Sequence, residues 1–220
     1  MNEGLTSIVD LVKNGRVIYE RITAWIVSKI IRTLQISTFT VLAFLLSGSY
    51  VVSAFAIIVY FFLTDFVKIA LSTDNFTPSD KPDSWNLTGA VKASAMLGFL
   101  VILESFGLLL YLVLNYFHVP LNSPALYTFT FEILFYSAMF IILNVRERRH
   151  FWSSKPSKTL LYAMIISIIA GTVIVTVGIP NLAAVPLPQS LMLLALSAFF
   201  ALGINDAIKV IAIKKTQFRW

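Results

Sequence analysis

Apolar residues gather along the chain in six long runs that are separated by short polar stretches. The runs cover about residues 24–46, 50–73, 90–117, 125–145, 159–178 and 189–210. A helix that crosses the hydrocarbon core of a bilayer needs about 20 mostly apolar residues, and each run meets that length. The pattern therefore predicts an all-α fold, a polytopic bundle of six transmembrane helices surrounded by membrane lipid.

The charged residues predict how this bundle is oriented. The 220 residues are 58% hydrophobic and 13% charged, and the net charge is +6. None of the 17 Lys and Arg residues lies in the connections 47–50, 118–124 and 179–188. Because basic residues mark the cytoplasmic side of a membrane protein, we expect both termini in the cytoplasm. The positive charge is thus explained by topology, and no nucleic-acid partner is expected.

The N-terminal residues form a separate amphipathic pattern. Leu5, Ile8, Val9 and Val12 follow helical spacing, and charged residues occupy the other faces. Two interpretations stay open: a helix that lies on the lipid headgroups, or a stalk that continues into the first span. We therefore divide the chain into a cytoplasmic, stalk-like helix at 1–23, a transmembrane domain at 24–210 and a short cytoplasmic tail at 211–220.

Ionisable residues inside the spans are the candidates for function, because a charge at that depth costs several kcal/mol unless it is paired. Asp65 lies past the middle of the second run, and Lys68 follows it by one helical turn. Residues at i and i+3 share a helix face, so Lys68 and Asp65 could simply neutralise each other. Glu104 is the most central charge of the third run, and Lys29 and Arg32 of the first run are its candidate partners.

Three further charged residues are less central. Glu132 is expected nearer the outer side of the membrane, where water can reach it. Asp206 and Lys209 are expected to form an ion pair at a helix end. The sequence has no cysteine, and its two histidines, His118 and His150, fall on opposite sides of the predicted membrane. No catalytic motif, metal site or cofactor site is therefore expected in this chain.

One window carries a resemblance to a known family. It reads TDFVKIALSTDNFTPSDKPDSWNL, at residues 64–87, and its marker positions are Asp65, Asp74 with Asn75, Pro82, Trp85 and Leu87. The window resembles the sixth transmembrane helix and the following loop of the plasma-membrane proton-pumping P-type ATPases. GLTSIVDLVKNGRVIYERI (4–22), NVRERRHFWSSKPSK (144–158) and the final NDAIKVIAIKK are similar to other parts of the same region. In order, the six spans match helices five to ten of the family.

The resemblance implies a role for Asp65 as the proton-carrying carboxylate of a cell-membrane pump. Lys29 stands at one position where the family has a basic partner of this carboxylate, and Gln35 stands at another. Arg32, one turn before Gln35, is a candidate substitute for that partner. The phosphorylated Asp-Lys-Thr-Gly motif is not in this sequence, so the chain by itself is not expected to hydrolyse ATP.

Three functions stay open on this evidence. The chain is expected to be a subunit or fragment that needs a second polypeptide with the catalytic domains and the first four helices. Alternatively, it is a stand-alone proton or cation pathway, or an interaction scaffold, without coupling to ATP. The third alternative is a structural remnant that transports nothing.

Overall fold

A computed structural model describes residues 3–76, 87–121 and 123–216 of the chain. The helices follow one another as α1 (Glu3–Ser47), α2 (Ala54–Leu71), α3 (Leu87–Gly107), α4 (Pro124–Val145), α5 (Lys158–Val177), α6 (Leu187–Ala198) and α7 (Asn205–Thr216). Two π-helical segments extend them: Leu108–Tyr116 continues α3, and Phe199–Ile204 joins α6 to α7.

Six helical stretches in the described part of the chain are long and apolar enough to cross a membrane. They are Ser7–Ser47, Ala54–Leu71, Thr88–Tyr116, Pro124–Val145, Lys158–Val177 and Leu187–Ile213. The predicted all-α, six-span fold is confirmed, and the chain is a multi-pass membrane protein.

The helix boundaries differ from the predicted ones in two places. The helix α1 runs without a break through position 23, where the sequence suggested a division between stalk and span. Gly15 costs a helix about 1 kcal/mol relative to alanine, which is too little to interrupt 45 residues of continuous backbone hydrogen bonding. The helix α7 likewise runs to Thr216, six residues past the predicted end of the last span, because no Gly or Pro follows Asn205 to stop it.

The helix α4 is the centre of the bundle. Most of its residues are buried, including Phe129, Phe131, Phe135 and Tyr136, and it packs against α1, α2, α3, α5 and α6. A helix that is apolar on all faces is expected to be surrounded by other helices. Around it, α1 packs on α3, and α2 packs on α5. This arrangement leaves one side of α2 on the outside of the bundle.

At one end of the bundle, which we call the charged end, four elements meet at Asp74. Its side chain is fully buried just after α2; Oδ2 accepts a hydrogen bond from Nε of Arg146 at 2.7 Å, and Oδ1 accepts one from the backbone N–H of Ser157 at 2.6 Å. Its backbone carbonyl accepts two from Arg21, at 2.8 and 3.0 Å. These contacts join α1, the end of α2, the end of α4 and the start of α5.

Candidate functional site

The helix α2, one of the six candidate spans, places Asp65 at a definite distance from the charged end. The helix begins at an N-cap, Ser53, whose side-chain oxygen accepts a hydrogen bond from the N–H of Ala56 at 3.1 Å. Asp65 lies six residues before the last helical residue, Leu71, which is about 9 Å along the axis. Its side chain is 56% exposed on the outer side of α2.

Arg32 of α1 is the partner of Asp65. Its Nη1 atom donates to Oδ1 of Asp65 and to Oγ1 of Thr64, each at 2.8 Å. The Thr64 hydroxyl donates in turn to the carbonyl of Tyr60, so its oxygen is free to accept from the arginine. Only 8% of the Arg32 side chain is exposed, and its guanidinium lies 5.0 Å from the centre of the Phe61 ring. The arginine side chain is thus almost completely enclosed by protein, whereas its partner Asp65 is not.

The two predicted lysine partners are placed differently. Nζ of Lys29 lies 4.8 Å from the ring centre of Trp25, one turn back along α1, in a cation–π contact. Lys68 is 4% exposed, and its Nζ atom has no hydrogen-bond partner among the described residues. The carboxylate of Asp65 is therefore paired across two helices, with Arg32, and the neighbouring lysine on its own helix does not bond to it.

Glu104 makes its contacts elsewhere. It is 6% exposed on α3, and its two oxygens lie 3.1 Å from Oγ of Ser137 on α4 and 3.1 Å from Nδ2 of Asn205 on α7. The polar link from α1 to α3 is made instead by Gln35, which donates to Oγ of Ser105 at 2.9 Å. Glu104 thus forms a second polar cluster, separate from the Asp65 pair.

Two other predicted features can be compared with the structure. Glu132 is fully buried rather than hydrated, because α4 is enclosed by its neighbours; it accepts a hydrogen bond from the Tyr136 hydroxyl at 3.3 Å. Asp206 and Lys209 form the expected ion pair, at 2.7 Å. Pro82 and Trp85 lie outside the described residues.

The sequence did not single out the hydrogen bonds of Asp74. Its partners are 53, 72 and 83 positions away along the chain, so local residue spacing does not predict these contacts. The one available signal was its place in the family-like window. The metal ligands His, Cys, Asp and Glu do not form a group of three or more anywhere in the described ranges.

Comparisons with known proteins bear on the resemblance. No protein-family model matches the chain. A protein of Methanocaldococcus jannaschii, provisionally named a cation-transporting ATPase, is 28% identical over 219 residues, which is 99% of this chain. Plasma membrane ATPase 1 of Saccharomyces cerevisiae is 28% identical over 176 residues, or 80% of the chain, and Plasma membrane ATPase 1 of Candida albicans is 28% identical over 170 residues, or 77%.

The chain is much shorter than these relatives. It spans 26% of the length of the archaeal protein and 19% of the length of each of the two fungal ATPases. The match to the archaeal protein extends over 99% of the chain, and the described part of the fold has the six candidate transmembrane helices that the motifs imply. The comparisons therefore confirm the resemblance of this chain to the C-terminal membrane region of P-type ATPases.

Proposed function

We propose that the chain forms the C-terminal membrane half of a proton-transporting P-type ATPase of the plasma membrane, with Asp65 as the carboxyl that carries the proton. The observation that carries this proposal is the Arg32–Asp65 ion pair, 2.8 Å long and about 9 Å from the end of α2. An aspartate at this depth can bind a proton from one side and lose it to the other when its surroundings change.

The arginine supports a proton, rather than a metal cation, as the transported ion. The described residues around Asp65 provide one carboxylate and three cationic side chains, those of Lys29, Arg32 and Lys68. Hard metal cations require several oxygen ligands, whereas Arg32 already occupies both the Asp65 carboxylate and the Thr64 hydroxyl. A proton needs a single lone pair, so it is the cation that suits this site.

Arg32 has a definite role in the proposed cycle. When Asp65 is ionised, the guanidinium neutralises it inside the bilayer. When Asp65 takes up a proton, Arg32 stays in place, because the Thr64 hydroxyl and the face of the Phe61 ring still hold it. The fixed positive charge then opposes the return of a proton after release, since like charges repel strongly where water is scarce.

The exposure of Asp65 supports a further protein partner. A side chain that is 56% exposed on the outer side of α2 would face lipid if the bundle were alone, and lipid offers a carboxylate no hydrogen bonds. We infer that the helices and catalytic domains that complete the ATPase, carried on a second polypeptide or on a longer one, cover this side of α2. ATP hydrolysis belongs to that complete assembly.

The proposal is tested by proton uptake into membrane vesicles that contain the chain with its native assembly, with and without ATP. We expect ATP-driven acidification that falls at least about tenfold in Asp65→Asn, which removes the titrating group at nearly constant volume. Asp10→Asn is the matched control, because Asp10 is exposed on α1 outside the site. Uptake that needs no ATP, but still needs Asp65, would favour a stand-alone pathway, and undiminished ATP-driven uptake in Asp65→Asn would refute the assigned role.

A further inference from the structure

Glu104 lies at a three-helix junction that the proposed Asp65 pathway does not use. The junction consists of Glu104 on α3, Ser137 on α4 and Asn205 at the start of α7, and we call it the Glu104 cluster. We propose that Glu104 is a second proton-binding site of this chain, a buried neutral carboxylic acid that is hydrogen-bonded to the other two side chains.

The hydrogen-bond distances in the cluster support a neutral acid. Oγ of Ser137 lies 2.7 Å from the carbonyl oxygen of Ile133 and 3.1 Å from Oε1 of Glu104. A hydroxyl has one hydrogen, and the shorter contact to the carbonyl takes it. At the longer contact, Oγ of Ser137 and Oε1 of Glu104 would then both be acceptors, with no hydrogen between them. A hydrogen on Oε1 of Glu104 removes this conflict. With that hydrogen, Glu104 donates to Ser137 and accepts from Nδ2 of Asn205 on Oε2, so every group has a partner.

The charges around the cluster support the same state. Among the described residues, none forms an ion pair with Glu104, although cations are present on each neighbouring helix. On α1, Arg32 is bonded to Asp65 and Lys29 lies over Trp25. On α4 and α7, Arg146 is bonded to Asp74 and Lys209 to Asp206. The one basic residue of α3, Lys92, lies about 18 Å along the helix from Glu104.

An ionised Glu104 would be a buried negative charge, 6% exposed, with no ion-pair partner among the described residues. Such a charge is unfavourable in a membrane interior, whereas the neutral acid costs little once its hydrogen bonds are made.

A bound metal cation fits the cluster less well than a proton. The Glu104 oxygens lie at direct hydrogen-bonding distance, 3.1 Å, from both partners, so the side chains already close on one another. Asn205 also presents its amide nitrogen, which cannot bind a cation. A proton needs no additional space between these groups.

The backbone next to the cluster supports a specific site. Asn205 is the first residue after the π-helical segment Phe199–Ile204, and segments of this kind are frequent at functional sites. The carbonyl of Ala201, within that segment, accepts a hydrogen bond from Nδ2 of Asn144 at 2.7 Å. The π-helical register thus places Asn205 beside Glu104, and Asn144 of α4 provides a hydrogen bond to a backbone carbonyl of the π-helical segment. The proton on Glu104 consequently joins α3 and α4 to the start of α7.

Infrared spectroscopy of the purified chain in liposomes at neutral pH tests the proposal. A protonated carboxylic acid has a C=O stretching band distinct from that of a carboxylate, and the band shifts in D₂O. We expect the wild-type chain to have one component of this band that disappears in Glu104→Gln, an amide that donates and accepts in the same places. The same component should shift to higher frequency in Asn205→Leu, which removes the hydrogen bond to the C=O oxygen.

Two controls separate this site from the other acidic residues. Asp65→Asn and Glu132→Gln should both leave the Glu104 component unchanged, so the result does not depend on the proposed role of Asp65. Loss of carboxylate absorption in Glu104→Gln, with the carboxylic acid band intact, would overturn the proposal. So would removal of the band by added Na⁺, K⁺ or Ca²⁺ in the wild-type chain, because that result would indicate a metal site.

If Glu104→Gln does not fold, the infrared spectrum of Asn205→Leu tests the proposal. A shift of the band in that variant supports the proposal, and an unchanged carboxylic acid band contradicts it.

Discussion

At the scale of single residues, the two members of the central ion pair have different surroundings. Arg32 is enclosed by Thr64, Tyr60 and Phe61, whereas more than half of the Asp65 side chain is exposed. An enclosed charge depends on its partner much more than an exposed one does. Arg32 should therefore contribute to the stability of the α1–α2 contact as well as to transport.

A double-mutant cycle measures this dependence. Asp65→Asn should lower the thermal unfolding midpoint in detergent, because it leaves the enclosed Arg32 without its anion. Adding Arg32→Met should recover part of the loss, with a coupling free energy of about 1 kcal/mol or more between the two positions. Strictly additive losses would show that the 2.8 Å contact contributes nothing to stability.

At the scale of helices, the elements are connected by polar contacts at the charged end and by close packing in the middle. Asp74 is the main polar connection, since its side chain and backbone accept hydrogen bonds from α1, from the end of α4 and from the start of α5. Both members of its ion pair with Arg146 are almost completely buried, with side-chain exposures of 0% and 1%.

Removing one charge of this pair should be costly. Asp74→Asn replaces one acceptor oxygen with an NH₂ group. This donor must then face another donor, either Arg146 or the N–H of Ser157, so we expect a loss of about 3–5 kcal/mol in the free energy of unfolding. The measurement is chemical unfolding in detergent followed by circular dichroism. Asp10→Asn, at an exposed position of α1, should change the same quantity by less than about 0.5 kcal/mol. Equal effects of the two substitutions would argue against Asp74 as a connection.

Close packing is tested at Gly171, where α5 crosses α4. A Cβ atom at this position would lie 2.5 Å from Cε1 of Phe135. Gly171→Ala should therefore destabilise the chain by about 1–3 kcal/mol, and a second change, Phe135→Leu, should restore part of that loss. At Gly15 a Cβ would meet no atom within 4 Å, so Gly15→Ala should not destabilise the chain at all. Equal stability of the two alanine variants would rule out the tight α4–α5 contact.

At the scale of the whole molecule, the sequence predicted the number of spans and their order. Length and apolar composition determine a transmembrane helix, and both are local properties that can be counted directly. The π-helical segments were not predicted, because Leu108–Tyr116 and Phe199–Ile204 have the same apolar composition as an ordinary α-helix. Whether Arg32 or Lys68 is the partner of Asp65 depends on how α1 packs against α2. The spacing of residues along α2 does not predict that packing.

The contacts of Glu104 illustrate the same limit. Its partners are 33 and 101 positions away, on helices whose arrangement follows from packing around α4. The sequence identified Glu104 as a buried charge and offered Lys29 and Arg32 as partners. It gave no sign that Ser137 and Asn205 would take that place, because serine and asparagine carry no charge that marks them in an apolar run.

The orientation of the bundle remains a prediction with a direct test. The natural chain has no cysteine, so a single introduced one can be labelled without background. Lys155→Cys lies on the exposed surface of the loop after α4, and Leu121→Cys lies in the connection between the third and fourth spans. In intact cells a membrane-impermeant maleimide should label the second variant and reach the first only after permeabilisation. The opposite pattern would reverse the proposed topology.

The central claim is that the carboxyl group of Asp65 carries the transported proton, and the rate of ATP-driven proton uptake in vesicles with the native assembly tests it most directly. We expect Asp65→Asn to reduce this rate at least about tenfold. Asp65→Glu keeps a titrating carboxyl beside Arg32, so this variant should retain more of the rate than Asp65→Asn does. A wild-type rate in Asp65→Asn, or equal losses in the two variants, would contradict the claim.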